Sequence, residues 1–139
     1  GPRGVAAVPA GRLGLTMNGC DYLLDTNVVI YLQKGLLAAP LPPGRFALSV
    51  ITEIELRSFS GLTEAQEEAL KALLESLSTI PLDDAIKEET IRLRRECRIK
   101  TPDAIIAATA LTQGAVLLTN DDRLQKIPGL KAATVSLKS

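Results

Sequence analysis

The residues of this chain best able to do chemistry are acids. Histidine is absent from all 139 positions, and the two cysteines, Cys20 and Cys97, stand alone. No Cys-His pair, Ser-His-Asp triad or zinc-ligand spacing can be drawn from that set. Acid–base work falls to carboxylates, lysine, tyrosine or metal-bound water. Four carboxylates stand out by position. Asp25 follows the apolar run Tyr22-Leu23-Leu24, Asp103 follows Thr101-Pro102, and Asp121 follows Leu117-Leu118-Thr119-Asn120. Glu55, projected at about 100° per residue along a helix, falls between Ile51, Ile54, Ser58 and Phe59.

Three of these acids also have ordinary structural explanations. Asp25, with Thr26 and Asn27, can cap a helix, and Asp121 can do the same in competition with Asp122. Asp103 stands where a helix dipole rewards an acid by about 0.3–1 kcal/mol. Glu55 says more. Glu53 and Arg57 point the opposite way as a solvated pair, which leaves Glu55 on the expected buried side. An unpaired carboxylate there costs several kcal/mol, so it needs a cation, and a buried arginine or a metal would serve. Carboxylates within about 4–6 Å of one another repel. A hard divalent ion resolves that conflict, and Mg²⁺ or Mn²⁺ takes oxygen ligands of this kind.

Strands and helices alternate in a way that would bring these acids together. Strands are expected at 22–24, 46–49, 79–82, 115–119 and 132–137, the third at a sheet edge because Pro81 interrupts it. Helices are expected from the Thr26 or Asn27 cap to Lys34, over 50–59, over 65–77 behind a Thr63–Gln66 capping box, and from Asp83 or Asp84 to Cys97. A further helix runs from a Thr101 cap, with Pro102 at its first position, to Gly114, and a short turn of helix over 121–126. The body of the 102–113 helix is apolar on nearly all sides, which marks it as buried. Such alternation predicts a mainly parallel α/β sheet of four to five strands, and in open sheets ligands bind at the carboxyl ends of the strands.

Composition narrows the function classes. Hydrophobic residues make up 46% and aromatics 3%, so Leu, Ile, Val and Ala fill the core and Tyr22, Tyr31, Phe46 and Phe59 mostly read as part of it. The formal net charge is zero, which offers no global attraction to nucleic acid. No run approaches the roughly 20 apolar residues of a membrane span. Two unpatterned cysteines fit a reducing cytoplasm, as small core fillers. Residues 1–16 are rich in Gly, Pro and Ala without periodicity and are read as an N-terminal extension or remnant, leaving 17–139 as one domain.

From Met17 onward the chain resembles PIN-domain ribonucleases, particularly VapC-like toxins of toxin–antitoxin pairs. The motifs that carry the resemblance are Leu-Leu-Asp-Thr-Asn at 23–27, Ser-Val-Ile-Thr-Glu-Ile-Glu-Leu at 49–56, Thr-Pro-Asp-Ala-Ile-Ile-Ala-Ala-Thr-Ala at 101–110 and Leu-Leu-Thr-Asn-Asp at 117–121. The resemblance implies a three-layer α/β/α PIN-like domain and an acidic quartet at Asp25, Glu55, Asp103 and Asp121. It also implies Mg²⁺ or Mn²⁺, RNA cleavage by metal-activated water, homodimerisation and a cognate antitoxin. Thr26, Asn27, Thr119 and Asp122 are supporting candidates, and Leu124 stands where many relatives carry Phe. Arg94, Arg95, Arg98 and Lys100 are the candidates for holding RNA, with Arg92 in the same cluster; about half of these positive charges are expected to pair with Glu88, Glu89 and Glu96 instead. Two other functions fit less of the pattern: a phosphoryl-transfer domain with a nucleophilic Asp25, disfavoured because Asn27 stands where a second acid belongs, and a non-catalytic interaction module, which has no use for Glu55.

Overall fold

The structure, a computed structural model, describes residues 19–139. The expectation for residues 1–16 lies outside the described residues. The order of elements is β1 (Tyr22–Leu24), α1 (Thr26–Gln33), β2 (Phe46–Ser49), α2 (Val50–Arg57), α3 (Glu64–Glu75), β3 (Ser78–Ile80), α4 (Asp84–Cys97), α5 (Thr101–Gln113), β4 (Val116–Leu118), α6 (Asp122–Gln125) and β5 (Ala132–Ala133).

Five parallel strands pair in the order β3-β2-β1-β4-β5. β1 is central, and the chain runs outward from it in both directions, so the topology switches between β1 and β4. Neighbouring side chains on each strand face opposite sides of the sheet. Leu23 and Leu117 enter one core with Ile86 and Leu93 of α4 and the buried face of α5. Leu24 and Leu118 enter the other with Val28 and Val29 of α1, Leu56 of α2 and Leu70 of α3. The result is the expected three-layer α/β/α arrangement. All seven residues from Ala104 to Ala110 are buried, as the apolar body of α5 requires.

Helix ends explain where the elements stop. Thr63 and Gln66 form the expected capping box on α3. At α4 the choice between two acids falls to Asp83, whose side chain accepts from the Ile86 N–H at 2.9 Å. At α5 the cap lies one residue before the expected one: Lys100 is the N-cap and Thr101 the first helical residue, with no side-chain cap bond. Pro102 still suits the first turn, where its missing N–H is not needed.

Three strands are shorter than expected, β4 losing one residue at each end. β3 ends before Pro81 rather than containing it, and its place at the edge of the sheet is as expected. β5 keeps only Ala132–Ala133, because the chain leaves the sheet to pair Leu137 with Leu37 in an isolated antiparallel bridge. A further correction concerns α2. Thr52 and Leu56 are its buried residues, whereas Ile54 is 53% and Phe59 47% exposed, so Glu55 is half-buried beside the covered stripe and Phe59 is not core. Cys20 and Cys97 are free, half-buried and packed against the core.

A candidate metal site at the switch between strands

Asp25 sits at the carboxyl end of β1, caps α1, and is only 5% exposed. One oxygen, Oδ1, accepts from the Thr26 N–H at 2.8 Å, and Oδ2 accepts from the Thr119 hydroxyl at 2.6 Å. The backbone prepares this meeting, since the Asp25 N–H donates to the Leu118 carbonyl and continues the β1–β4 ladder into the turns. Thr119 is fully buried. Its hydroxyl oxygen also accepts from the Asp121 N–H at 3.0 Å, so one threonine ties the first acid to the turn that carries the fourth.

Glu55 reaches the same region from α2. Ser49 ends β2 and caps α2 without an intervening loop, which places the helix directly above the strand ends. The Thr26 hydroxyl donates to Glu55 Oε1 at 2.7 Å. Because a hydroxyl has one proton, the 2.9 Å contact between Thr26 and Thr52 must run from Thr52 to Thr26. Glu53 is engaged elsewhere, in an ion pair with Arg57 at 3.0 Å.

Asp121 caps α6, its Oδ1 accepting from the N–H groups of Arg123 at 2.7 Å and Leu124 at 3.4 Å. Asp122 is exposed and forms no part of this network, which separates the two competing acids. Asn27 is likewise exposed on α1.

The electrostatics show that the acids share one field. Burial pushes the Asp25 carboxyl above its ordinary range, Asp121 and Glu55 push it further, and the bonds from Thr119 and the Thr26 N–H oppose them. Burial also raises Asp103, followed by the charges of Asp25, Asp121 and Glu55, with Lys100 acting the other way. Three acids distant in sequence thus act on Asp103, and two of them also on Asp25.

All four side chains offer hard oxygen donors, and no nitrogen or sulfur ligand accompanies them. That donor set fits Mg²⁺ or Mn²⁺ rather than a softer ion. Among the described residues no group of three or more acids forms a ready-made metal cage.

The basic residues divide. Arg92 pairs with Glu89 and with Glu96, the latter at 2.8 Å, so its charge is committed to α4. Arg94 donates to the Ile99 carbonyl at 3.4 Å and holds the α4–α5 connection. Arg95, Arg98 and Lys100 are exposed. Thr52 and Asn120 join the site's surroundings without a signal in the sequence. The Asn120 side chain accepts from the Val135 N–H at 2.8 Å and donates to the Val135 carbonyl at 3.0 Å, anchoring the Asp121 turn to the C-terminal segment.

Comparison with known proteins decides the family. Residues 22–130 match the PIN domain over most of the described chain. The chain is a PIN-domain protein. It is 30% identical over 134 residues to Ribonuclease VapC4 of Mycobacterium tuberculosis, a match that covers 86% of this chain and all of that protein. Among solved structures, a toxin–antitoxin complex from Klebsiella pneumoniae superposes with a TM-score of 0.64 at 31% identity, covering 79% of this chain and 95% of that one. VapBC-1 from nontypeable Haemophilus influenzae gives 0.68 at 29% identity, covering 81% and 96%. This PIN domain is thus VapC-like, and its four acids lie within the matched region.

Proposed function

We propose that this PIN domain is the ribonuclease toxin of a toxin–antitoxin pair, cleaving RNA with the help of Mg²⁺ or Mn²⁺ in the cytoplasm. The observation that carries the reading is the shared field of Asp25, Glu55, Asp103 and Asp121 at the one topological switch of the sheet, the position where α/β sheets bind ligands. Its likeness to a ribonuclease and to toxin–antitoxin complexes supplies the substrate class and the partner.

In this reading Asp25 and Asp103 hold the ion directly, and Glu55 and Asp121 orient its waters or a second ion. Bound there, the ion supplies polarisation of the scissile phosphate and a more acidic water. The chain's own residues do the rest. Thr119 fixes the Asp25 carboxylate, Thr26 fixes Glu55, and the Asp121 cap fixes the turn on the far side. Lys100 lies close enough to act on Asp103, and it brings positive charge to a rim that would otherwise repel RNA. The expected partners are RNA, a cognate antitoxin and a second copy of the chain. Among the described residues no helix is long and apolar enough to cross a membrane.

A nucleophilic Asp25 fits poorly, because two residues on, where that chemistry calls for a second acid, stands Asn27, exposed on α1. The direct test is incubation of purified, antitoxin-free protein with an RNA panel in Mn²⁺, Mg²⁺ or EDTA, with Asp25→Asn and Glu55→Gln alongside. Metal-dependent cutting that both variants lose supports the reading. Cutting indifferent to metal and to both substitutions overturns it.

A further inference from the structure

We propose that the cleft between the C-terminal end of α4 and helix α6 is a phosphate subsite, which holds the RNA backbone beside the acidic centre. The inference rests on the ribonuclease reading and says where this chain grips its substrate. The cleft has a volume of about 570 Å³ and is lined by Arg98, Arg123 and Lys126 over Ile99 and Ile127. Its one acidic lining residue, Glu96, is held by Arg92 at 2.8 Å. All three cations are exposed. Among the described residues none of the three is joined to a carboxylate by an ion pair, unlike Arg45, Arg57, Lys87 and Arg92.

Position ties the cleft to the site. Arg98 precedes by two residues Lys100, whose charge acts on Asp103. The Arg123 N–H donates to Asp121 Oδ1 at 2.7 Å, so its side chain starts from the same turn. The cleft therefore adjoins the connection that leads into the first turn of α5, where Asp103 stands, and the turn that bears Asp121. A polyanion repelled by four carboxylates needs positive neighbours to hold it, and guanidinium forks match phosphate oxygens.

Arg98 carries a second sign. It caps α4 at φ 52° and ψ 46°, and is the one non-glycine residue with positive φ among those described. The same job at the end of α5 is done by Gly114 at φ 65°. An L side chain takes this left-handed conformation at a cost that glycine avoids. The chain thus keeps a charged side chain where a bare backbone would cap the helix better. No aromatic residue lines the cleft, so it holds backbone without stacking bases and is indifferent to sequence.

The test measures binding of fluorescein-labelled oligouridylate to the full chain in EDTA, by anisotropy over a range of salt. Arg98→Gly is compared with the double variant Arg123→Ala, Lys126→Ala, and Lys87→Ala is the control. Gly accepts the left-handed position, so Arg98→Gly should keep or raise the melting temperature while its slope of log K against log salt falls by about 0.7. The double variant should lose about 1.4 from the slope. In Mn²⁺ both should raise KM and leave kcat in place, whereas Lys87→Ala, at the opposite end of α4 and outside the cleft, should match wild type throughout. Unchanged affinity and slope in both variants, with wild-type cleavage intact, overturns the subsite and leaves the ribonuclease standing. A wild type that never cuts RNA, while each substitution still lowers the slope, overturns the ribonuclease instead. Variants that keep RNA binding but lose polyglutamate binding would assign the cleft to an acidic protein segment and overturn the proposal.

Discussion

The Thr119 hydroxyl donates to Asp25 Oδ2 at 2.6 Å, across 94 positions of sequence and between the two strands that flank the switch point. That bond is also one of the two influences that hold the Asp25 pKa down against burial and its acidic neighbours. Thr119→Val should therefore raise the Asp25 pKa further. The deprotonated form that binds a cation then needs higher pH, so the acid limb of the kcat/KM profile should move upward. A buried acceptor left unpaired also costs about 1–3 kcal/mol, measurable by urea unfolding.

Removing a charge from the cluster should separate stability from activity. Asp25→Asn keeps an N-cap side chain and relieves repulsion, so without metal at neutral pH the melting temperature should hold or rise. Cleavage should fall at least about 100-fold, since metal-assisted charge stabilisation supplies several kcal/mol. Glu55→Gln should behave in the same direction. A variant that melts early and cuts normally would contradict the shared field.

Stability of the metal-free protein should fall as pH rises. Asp25 and Asp103 both have folded-state pKa values raised above the ordinary carboxylate value. Such acids favour the folded state at or below about pH 4, where they are protonated in both states, and that advantage is lost as pH climbs through the raised values. Mn²⁺ should restore it. The increase in melting temperature on adding the ion should be larger at neutral pH than at acid pH, and EDTA should reverse it.

Thr26 should matter through its proton. It donates to Glu55 and receives from Thr52, which is fully buried. Thr26→Val leaves both partners short and should cost about 1–2 kcal/mol with a drop in cleavage, whereas Thr26→Ser keeps the hydroxyl and should recover most of both. Denaturant curves beside initial rates distinguish the two.

Much of the fold was legible because its signals are local. Tyr22-Leu23-Leu24 reads as a buried strand and Asp25 marks its end, and the apolar body of α5 permits no exposed face. What escaped depends on partners. Helical projection put Ile54 and Phe59 on Glu55's side, but only the packing shows that α2 is covered along Thr52 and Leu56 instead. Four separate acids could be named, but their shared field depends on strand order, which no window of sequence carries. Asn120 resembles any turn asparagine until Val135 is placed beside it. Arg123 and Lys126 lie far in sequence from the arginines of α4, and only the fold brings them to Arg98.

The bidentate bond between Asn120 and Val135 makes the C-terminal segment part of what positions the Asp121 turn. Where expression of the active protein kills its host, survivors should include nonsense mutations at codon 135, which remove Val135. Such truncations would leave every acid encoded and still be harmless.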